Sequence, residues 1–220
     1  MELDDATTMT RGKATRARIL NCALRLMWRH GYSEIGINRL IEEAGVFKGS
    51  FYHFFPSKMD LLLAVYDHLW AVQRRQIQHI YKANGSPEEA LLEHIRWVCR
   101  AQIQTKNEQG YVPGLFHMAA GITLLDDNPA LAEKVRGMTN EHNTFLIDTM
   151  KKISLRGPEA AEQLGGLLAT FVGGAILNAR VSNSIKPIHA IERLASAIVD
   201  HLKASDGSEV ELAALYLRQA

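Results

Sequence analysis

The chain has 220 residues, 47% hydrophobic and 22% charged, with a net charge of +1. These proportions belong to a folded globular protein of one domain or two small ones, and exclude disordered, fibrous and disulfide-stapled chains. From Thr10 to Lys58 nine Lys/Arg face three Asp/Glu, whereas from Met59 onward sixteen face eighteen, so a basic head precedes a mildly acidic body.

The opening Met-Glu-Leu-Asp-Asp is acidic and lacks an apolar core, so no secretory signal is expected. The longest nearly apolar run, Leu164 to Leu177, is fourteen residues, which suits a buried helix better than a bilayer span. Cys22 and Cys99 have neither a CxxC partner nor metal-ligand spacing and read as reduced, buried thiols. A cytoplasmic protein with no membrane partner, no metal and no cofactor is the expectation.

Helical periodicity recurs along the chain, and no segment alternates with the period of a strand. Residues 15–30 place Ile19, Ala23, Leu26 and Met27 on one face, and Gly31 ends that helix. Short helices are predicted over 37–44, with Leu40 and Ile41 inward, and over 48–54. Pro56-Ser57 breaks the chain, and Ser57 with Asp60 forms a capping pair for a long helix reaching about Lys82. Asn84-Gly85-Ser86-Pro87 breaks it again, with Ser86 as cap, Pro87 in the first turn and Glu89 completing the capping box. Further helices are expected from there to about Lys106, over 115–125, from Asn128-Pro129 to about Ile153, over 159–182, over 187–203 and over 209–218. The fold class is all-α, with a three-helix head over 12–56 and a helical body over 57–220.

Residues 37–54 carry the chemistry. Two short helices meet at Ala44-Gly45-Val46, where a helix-turn-helix needs a glycine free to take positive φ and then an apolar residue between the helices. The second helix buries phenylalanines on one side. Its other side offers Lys48, Gly49, Ser50, Tyr52 and His53, small and hydrogen-bonding groups that let a helix approach base edges in the major groove. Taken singly, Tyr52 has packing as its minority explanation, whereas His53 and Lys58 are more simply explained as a surface histidine and a solvated cation. The constellation supplies the specificity.

The run Thr15-Arg16-x-Arg18-Ile19-Leu20, Gly31-Tyr32, Ala44-Gly45-Val46-x-Lys48-Gly49-Ser50-Phe51-Tyr52-x-Phe54-Phe55-x-Ser57-Lys58-x-x-Leu61 resembles the N-terminal domain of tetracycline-repressor (TetR) type regulators. The resemblance covers about residues 12–65. It implies a homodimer whose first three helices bind double-stranded DNA and whose remaining helices bind an inducer and the partner subunit. It further implies that Lys48, Gly49 and Ser50 face the groove, that Tyr52 and His53 contact phosphates, and that Lys58 anchors another phosphate beside a helix N-terminus. Arg11, Lys13 and Arg16 extend the same surface. Two departures stand out. Gly36 occupies the place where the family usually offers a phosphate-holding hydroxyl, leaving only its backbone N–H. Phe47 is larger than the residue common before Lys48 and alters which bases are read.

The body shows no catalytic constellation: its histidines are scattered, and no HExxH, GxSxG or phosphate loop occurs. Gly165-Gly166, Ala169 and Gly173-Gly174-Ala175 suit a close helix-on-helix contact, either between subunits or within one. The Gly110–Gly114 segment is similar to a loop in a TetR subgroup of electrophile sensors, but Tyr111 stands where a cysteine is common, which points to a non-covalent ligand. Candidate pocket residues are Tyr66, Trp70, Trp97, Tyr111, Phe116, His117, His142, Phe145 and Asn178. The expected function is a ligand-released dimeric repressor on a palindromic operator. Its rival is a DNA-binding architectural or protein-recruiting factor without an inducer, which a body lacking any cavity would favour.

Overall fold

The computed structural model describes residues 11–117 and 124–204, and among these every regular element is a helix. In chain order they are α1 (Arg11–His30), α2 (Ile37–Ala44), α3 (Lys48–Phe54), α4 (Lys58–Ala83), α5 (Pro87–Gln109), α6 (Leu124–Asp127), α7 (Pro129–Ile153), α8 (Pro158–Val181) and α9 (Lys186–Lys203). Part of the helix expected over 115–125, and all of that over 209–218, lie outside the described residues. Contacts divide the chain into two compact units. One runs to Val72 and adds Phe116–Val135; the other holds Gln73–Leu115 and Arg136 onward.

In the first unit Ile19, Ala23, Leu26 and Met27 of α1 are buried, as their spacing predicts, together with Leu40, Phe51, Phe55, Leu61, Leu62 and Val65. Ile41 is only half-buried, because the buried stripe of α2 runs through Leu40 and Ala44 and Ile41 lies one helical step to its side. The long helix α4 opens on the expected cap. The Asp60 N–H donates to Ser57 Oγ at 3.1 Å, and the Ser57 hydroxyl reaches Asp60 Oδ2 at 2.7 Å.

Gly45 is the hinge of the head. It adopts φ 60° and ψ 45°, its N–H bonds the Glu42 carbonyl at 3.0 Å, and the Val46 N–H bonds the Ile41 carbonyl at 3.2 Å. This paired arrangement satisfies two last-turn carbonyls and turns the chain sharply into α3. Nothing lies within 4 Å of a Cβ built on Gly45, so the requirement for glycine is conformational, not spatial. A Gly45→Ala variant is accordingly expected to lose about 1 kcal/mol of stability in urea unfolding while keeping its helical circular dichroism.

The second unit is built around Leu91, Ile95 and Cys99 of α5, Leu146 and Met150 of α7, Leu168, Val172 and Ile176 of α8, and Ile191, Ala195 and Ile198 of α9. Helix α5 starts as predicted, with the Glu89 N–H bonded to Ser86 Oγ at 3.2 Å. The glycines of α8 divide between two jobs. A Cβ on Gly165 would sit 2.7 Å from Ile147 Cγ1, so this glycine serves the approach of α7 within the chain. Gly166 and Gly174, by contrast, are exposed with nothing within 4 Å.

Candidate functional site

Two places bring chemistry-bearing residues together, one in each unit. The first is the surface around α3. Phe51 is buried and Phe54 half-buried, while Lys48, Gly49, Tyr52 and His53 are exposed and Ser50 is half-buried. A helix of seven residues thus spends its phenylalanines on packing and turns its polar groups out. Gly49 has open space where a side chain would begin, so the backbone at the front of α3 is bare.

The flanks of α3 are cationic. The Arg16 guanidinium lies 5.4 Å from the centre of the Phe55 ring, and the Lys58 ammonium lies 4.2 Å from that of Tyr32. Both contacts hold a long side chain in place by cation–π attraction. Partial burial lowers the Lys58 pKa, and the nearby Glu34 carboxylate works in the opposite sense. One acid of this region is occupied by cations: Glu43 accepts from Arg25 at 2.9 Å and from Arg39 at 3.2 Å, which lowers its pKa. Gly36 caps α2 with extended backbone (φ −76°, ψ 152°) and no side-chain bond, leaving the first-turn amides of α2 without a side-chain cap. Lys13 is exposed, and the Arg11 side chain lies outside the described residues.

The second place is a cleft of about 530 Å³ lined by Tyr81 at the end of α4, by Ser86, Pro87 and Ala90 at the start of α5, and by Phe145 and Thr149 of α7. Tyr81 stacks on Phe145, with ring centres 5.8 Å apart and planes within 16°. Behind this wall the Tyr81 hydroxyl meets His94 Nδ1 at 3.1 Å, and His94 also touches the rings of Trp97 and His142 at centroid distances of 6.1 and 5.0 Å. His94 is wholly buried and its Nε2 has no hydrogen-bond partner. Burial, and secondarily the neighbouring His142, push the His94 pKa down to about 3, while burial lifts Tyr81 to about 12. At neutral pH the Tyr81–His94 pair therefore stays uncharged while keeping its capacity to hydrogen-bond.

The nine pocket residues expected from sequence separate accordingly. Phe145 lines the cleft, and Trp97 and His142 gather on His94 behind it. Tyr66, Trp70, Phe116 and His117 belong to the other unit, where Phe116 makes edge contacts with Tyr66 at 4.9 Å and with Trp28 at 5.6 Å. Tyr111 sits in a loop clamped by its surroundings. There the Gly114 N–H donates to Gln102 Oε1 at 3.0 Å and the Val112 N–H to Asn183 Oδ1 at 3.1 Å. Asn178 is exposed on α8. Tyr81 and His94 were not among the expected pocket residues; they are far from His142 and Phe145 in sequence and meet only through packing of α4, α5 and α7.

Residues 19–65 match the family model described as bacterial regulatory proteins, tetR family. Over 183 residues, 82% of this chain and 92% of the other, it is 27% identical to an uncharacterized HTH-type transcriptional regulator, YxaF, of Bacillus subtilis (strain 168). A second relative, the HTH-type transcriptional regulator LmrA of the same organism, is 27% identical across 86% of this chain and 97% of its own. Residues 19–65 carry the regulatory domain of the TetR family. The fold of the chain agrees with that of the reduced form of Escherichia coli NemR, which superimposes with a TM-score of 0.72 at 19% identity over 89% of this chain and all of the other. Both curated relatives are helix-turn-helix transcriptional regulators. Neither cysteine is activated: burial raises the pKa of Cys22 and carries that of Cys99 to about 12, so both remain thiols at neutral pH.

Proposed function

We propose that this protein is a homodimeric repressor of the TetR family that holds a palindromic operator through α3 and is released by a small, non-covalently bound ligand. The observation that carries the reading is the division of α3 into a buried phenylalanine face and an exposed face of Lys48, Gly49, Tyr52 and His53. In this reading Lys48, Gly49 and Ser50 face the major groove. Tyr52, His53, Lys58 and the Gly36 backbone N–H hold phosphates on either side. Phosphate contacts position the head and base contacts specify the sequence.

Dimerisation is supported by α8. Its most apolar window has the length and composition of a membrane span, yet only 33% of that window is buried within the chain. Leu167, Leu177 and Val181 are exposed along it beside the bare Gly166 and Gly174. An apolar helix left this open needs a cover, and a second copy of the same helix supplies one by two-fold symmetry. Two heads spaced about one DNA turn (~34 Å) apart then read the two halves of a palindrome. A Leu177→Glu, Val181→Glu double variant is expected to sediment as a monomer and to lose operator binding, with the circular dichroism of a folded helical protein. A dimer that persists in this variant would remove α8 from the interface.

Release is supported by the cleft between the end of α4, the start of α5 and α7. The helix α4 that carries Tyr81 into the cleft also carries Lys58 at its first residue. A ligand preferring one position of α4 shifts the population of DNA-competent dimers by its differential affinity, typically ~1–3 kcal/mol of coupling. Thr144 is exposed at the cleft, so Thr144→Trp fills it without disturbing the core. The variant is expected to keep operator binding and to lose release by any ligand that dissociates the wild-type complex. Unaltered release would place the ligand elsewhere.

A further inference from the structure

Phe47 is the large apolar side chain most at odds with its surroundings. It is 86% exposed, although phenylalanine elsewhere in the head is core: Phe51 is fully buried and Phe55 only 2% exposed. Nor does Phe47 serve its helix. It is the N-cap of α3, with φ −75° and ψ 148°, and makes no side-chain capping bond. Ser, Thr, Asp or Asn at that place would satisfy a first-turn N–H that Phe47 leaves without a side-chain acceptor. The apolar positions that fix the entry angle of a helix are one before the cap and four after it, and these are Val46 and Phe51. The ring of Phe47 therefore has no part in capping, stapling or packing the head.

Its neighbours give it a use. Lys48 and Gly49 follow on the same exposed front, and the missing side chain at Gly49 lets the backbone there come close to a groove floor. If α3 enters the groove by this front, a ring at the position just before them lies beside the bases. In the major groove the polar edges of guanine, adenine and cytosine ask for hydrogen-bonding partners; thymine alone presents a methyl group. We infer that Phe47 is a sequence-reading residue that packs its ring against the 5-methyl group of a thymine in each operator half-site. The inference rests on the DNA-binding reading of α3 and deepens it by naming one base and the atom that is read.

The test uses the full-length protein and duplexes enriched by it from a random library. Each thymine of the enriched site is replaced symmetrically by deoxyuridine, which removes only the methyl group, and affinity is measured for wild type and for Phe47→Ser. At one thymine position the wild type is expected to lose about fourfold per half-site, or roughly fifteenfold per palindrome, the worth of one methyl returned to water. Phe47→Ser is expected to be indifferent to deoxyuridine at that position, to keep the wild-type salt dependence, and to melt no lower than wild type. If the wild type is indifferent to deoxyuridine everywhere, or if Phe47→Ser retains the wild-type sensitivity at every thymine, the inference is overturned while DNA binding stands. If no duplex is enriched at all, the DNA-binding reading fails and takes this inference with it.

Discussion

Replacing Lys58 by Met, or separately Tyr52 by Phe, is expected to weaken DNA binding on the order of a hundredfold for the dimer, and by the same factor on specific and unrelated duplexes. The figure follows from roughly tenfold per half-site for the loss of a charge-assisted phosphate contact. Methionine is chosen because it keeps a long side chain where the half-buried Lys58 places its ammonium over Tyr32, at 4.2 Å from the ring centre. Alanine would remove that packing and confuse stability with binding. In Lys58→Met the salt slope of binding should flatten by about one unit per half-site, since one fewer counterion is released for each phosphate left without its cation, whereas Tyr52→Phe should keep the slope. Lys48→Ala is expected to behave differently: its affinity should fall most on the preferred sequence, because its proposed partners are bases. Filter binding or fluorescence anisotropy at several salt concentrations separates the two patterns. Equal behaviour of Lys48→Ala and Lys58→Met across sequences would contradict the docking of α3.

The second large effect is acid lability. His94 is wholly buried, faces Tyr81, Trp97 and His142, and has its pKa pushed down to about 3. In the unfolded chain a histidine binds its proton near pH 6.5, so between that value and the folded pKa the unfolded state holds more protons. Stability is therefore complete above about pH 6.5 and falls as the pH drops toward 3. From about pH 7.5 to about pH 4.5 this one group removes about 2–3 kcal/mol. His142, also lowered by burial, acts in the same direction. A His94→Phe variant, compared with wild type by the change in urea midpoint across that range, should lose distinctly less. Identical pH slopes would show that His94 takes up its proton over the same pH range in the folded and unfolded protein. The comparison of slopes holds even where the variant is less stable at every pH, as the loss of the Tyr81 hydrogen bond would make it.

Local chemistry made the turns and helix starts legible in the sequence. Gly45, Ser57 with Asp60, and Ser86 with Glu89 each act within a few residues of themselves, so their turns and caps can be read without knowing the fold. The fold class followed for the same reason, since helical periodicity is also local. The cleft was not legible. Tyr81, His94, His142, Phe145 and Thr149 are spread over three helices, and nothing in the spacing of residues 81 and 94 announces that a phenol meets an imidazole. The glycines of α8 show the same limit within one element. Gly165 and Gly166 are adjacent and equivalent by composition, yet the helical rotation between them turns one against Ile147 and the other outward. Phe47 could be recognised as large for its place, whereas its exposure needed the structure.

The central claim is that α3 reads duplex DNA in a two-fold arrangement. Enrichment of random duplexes by the full-length protein, followed by sequencing, tests it most directly. The account predicts a palindrome whose half-site centres lie about one helical turn apart, bound with an affinity that falls steeply as salt rises. Enrichment of a single unpaired half-site, or no sequence preference beyond salt-sensitive binding to any duplex, would contradict it.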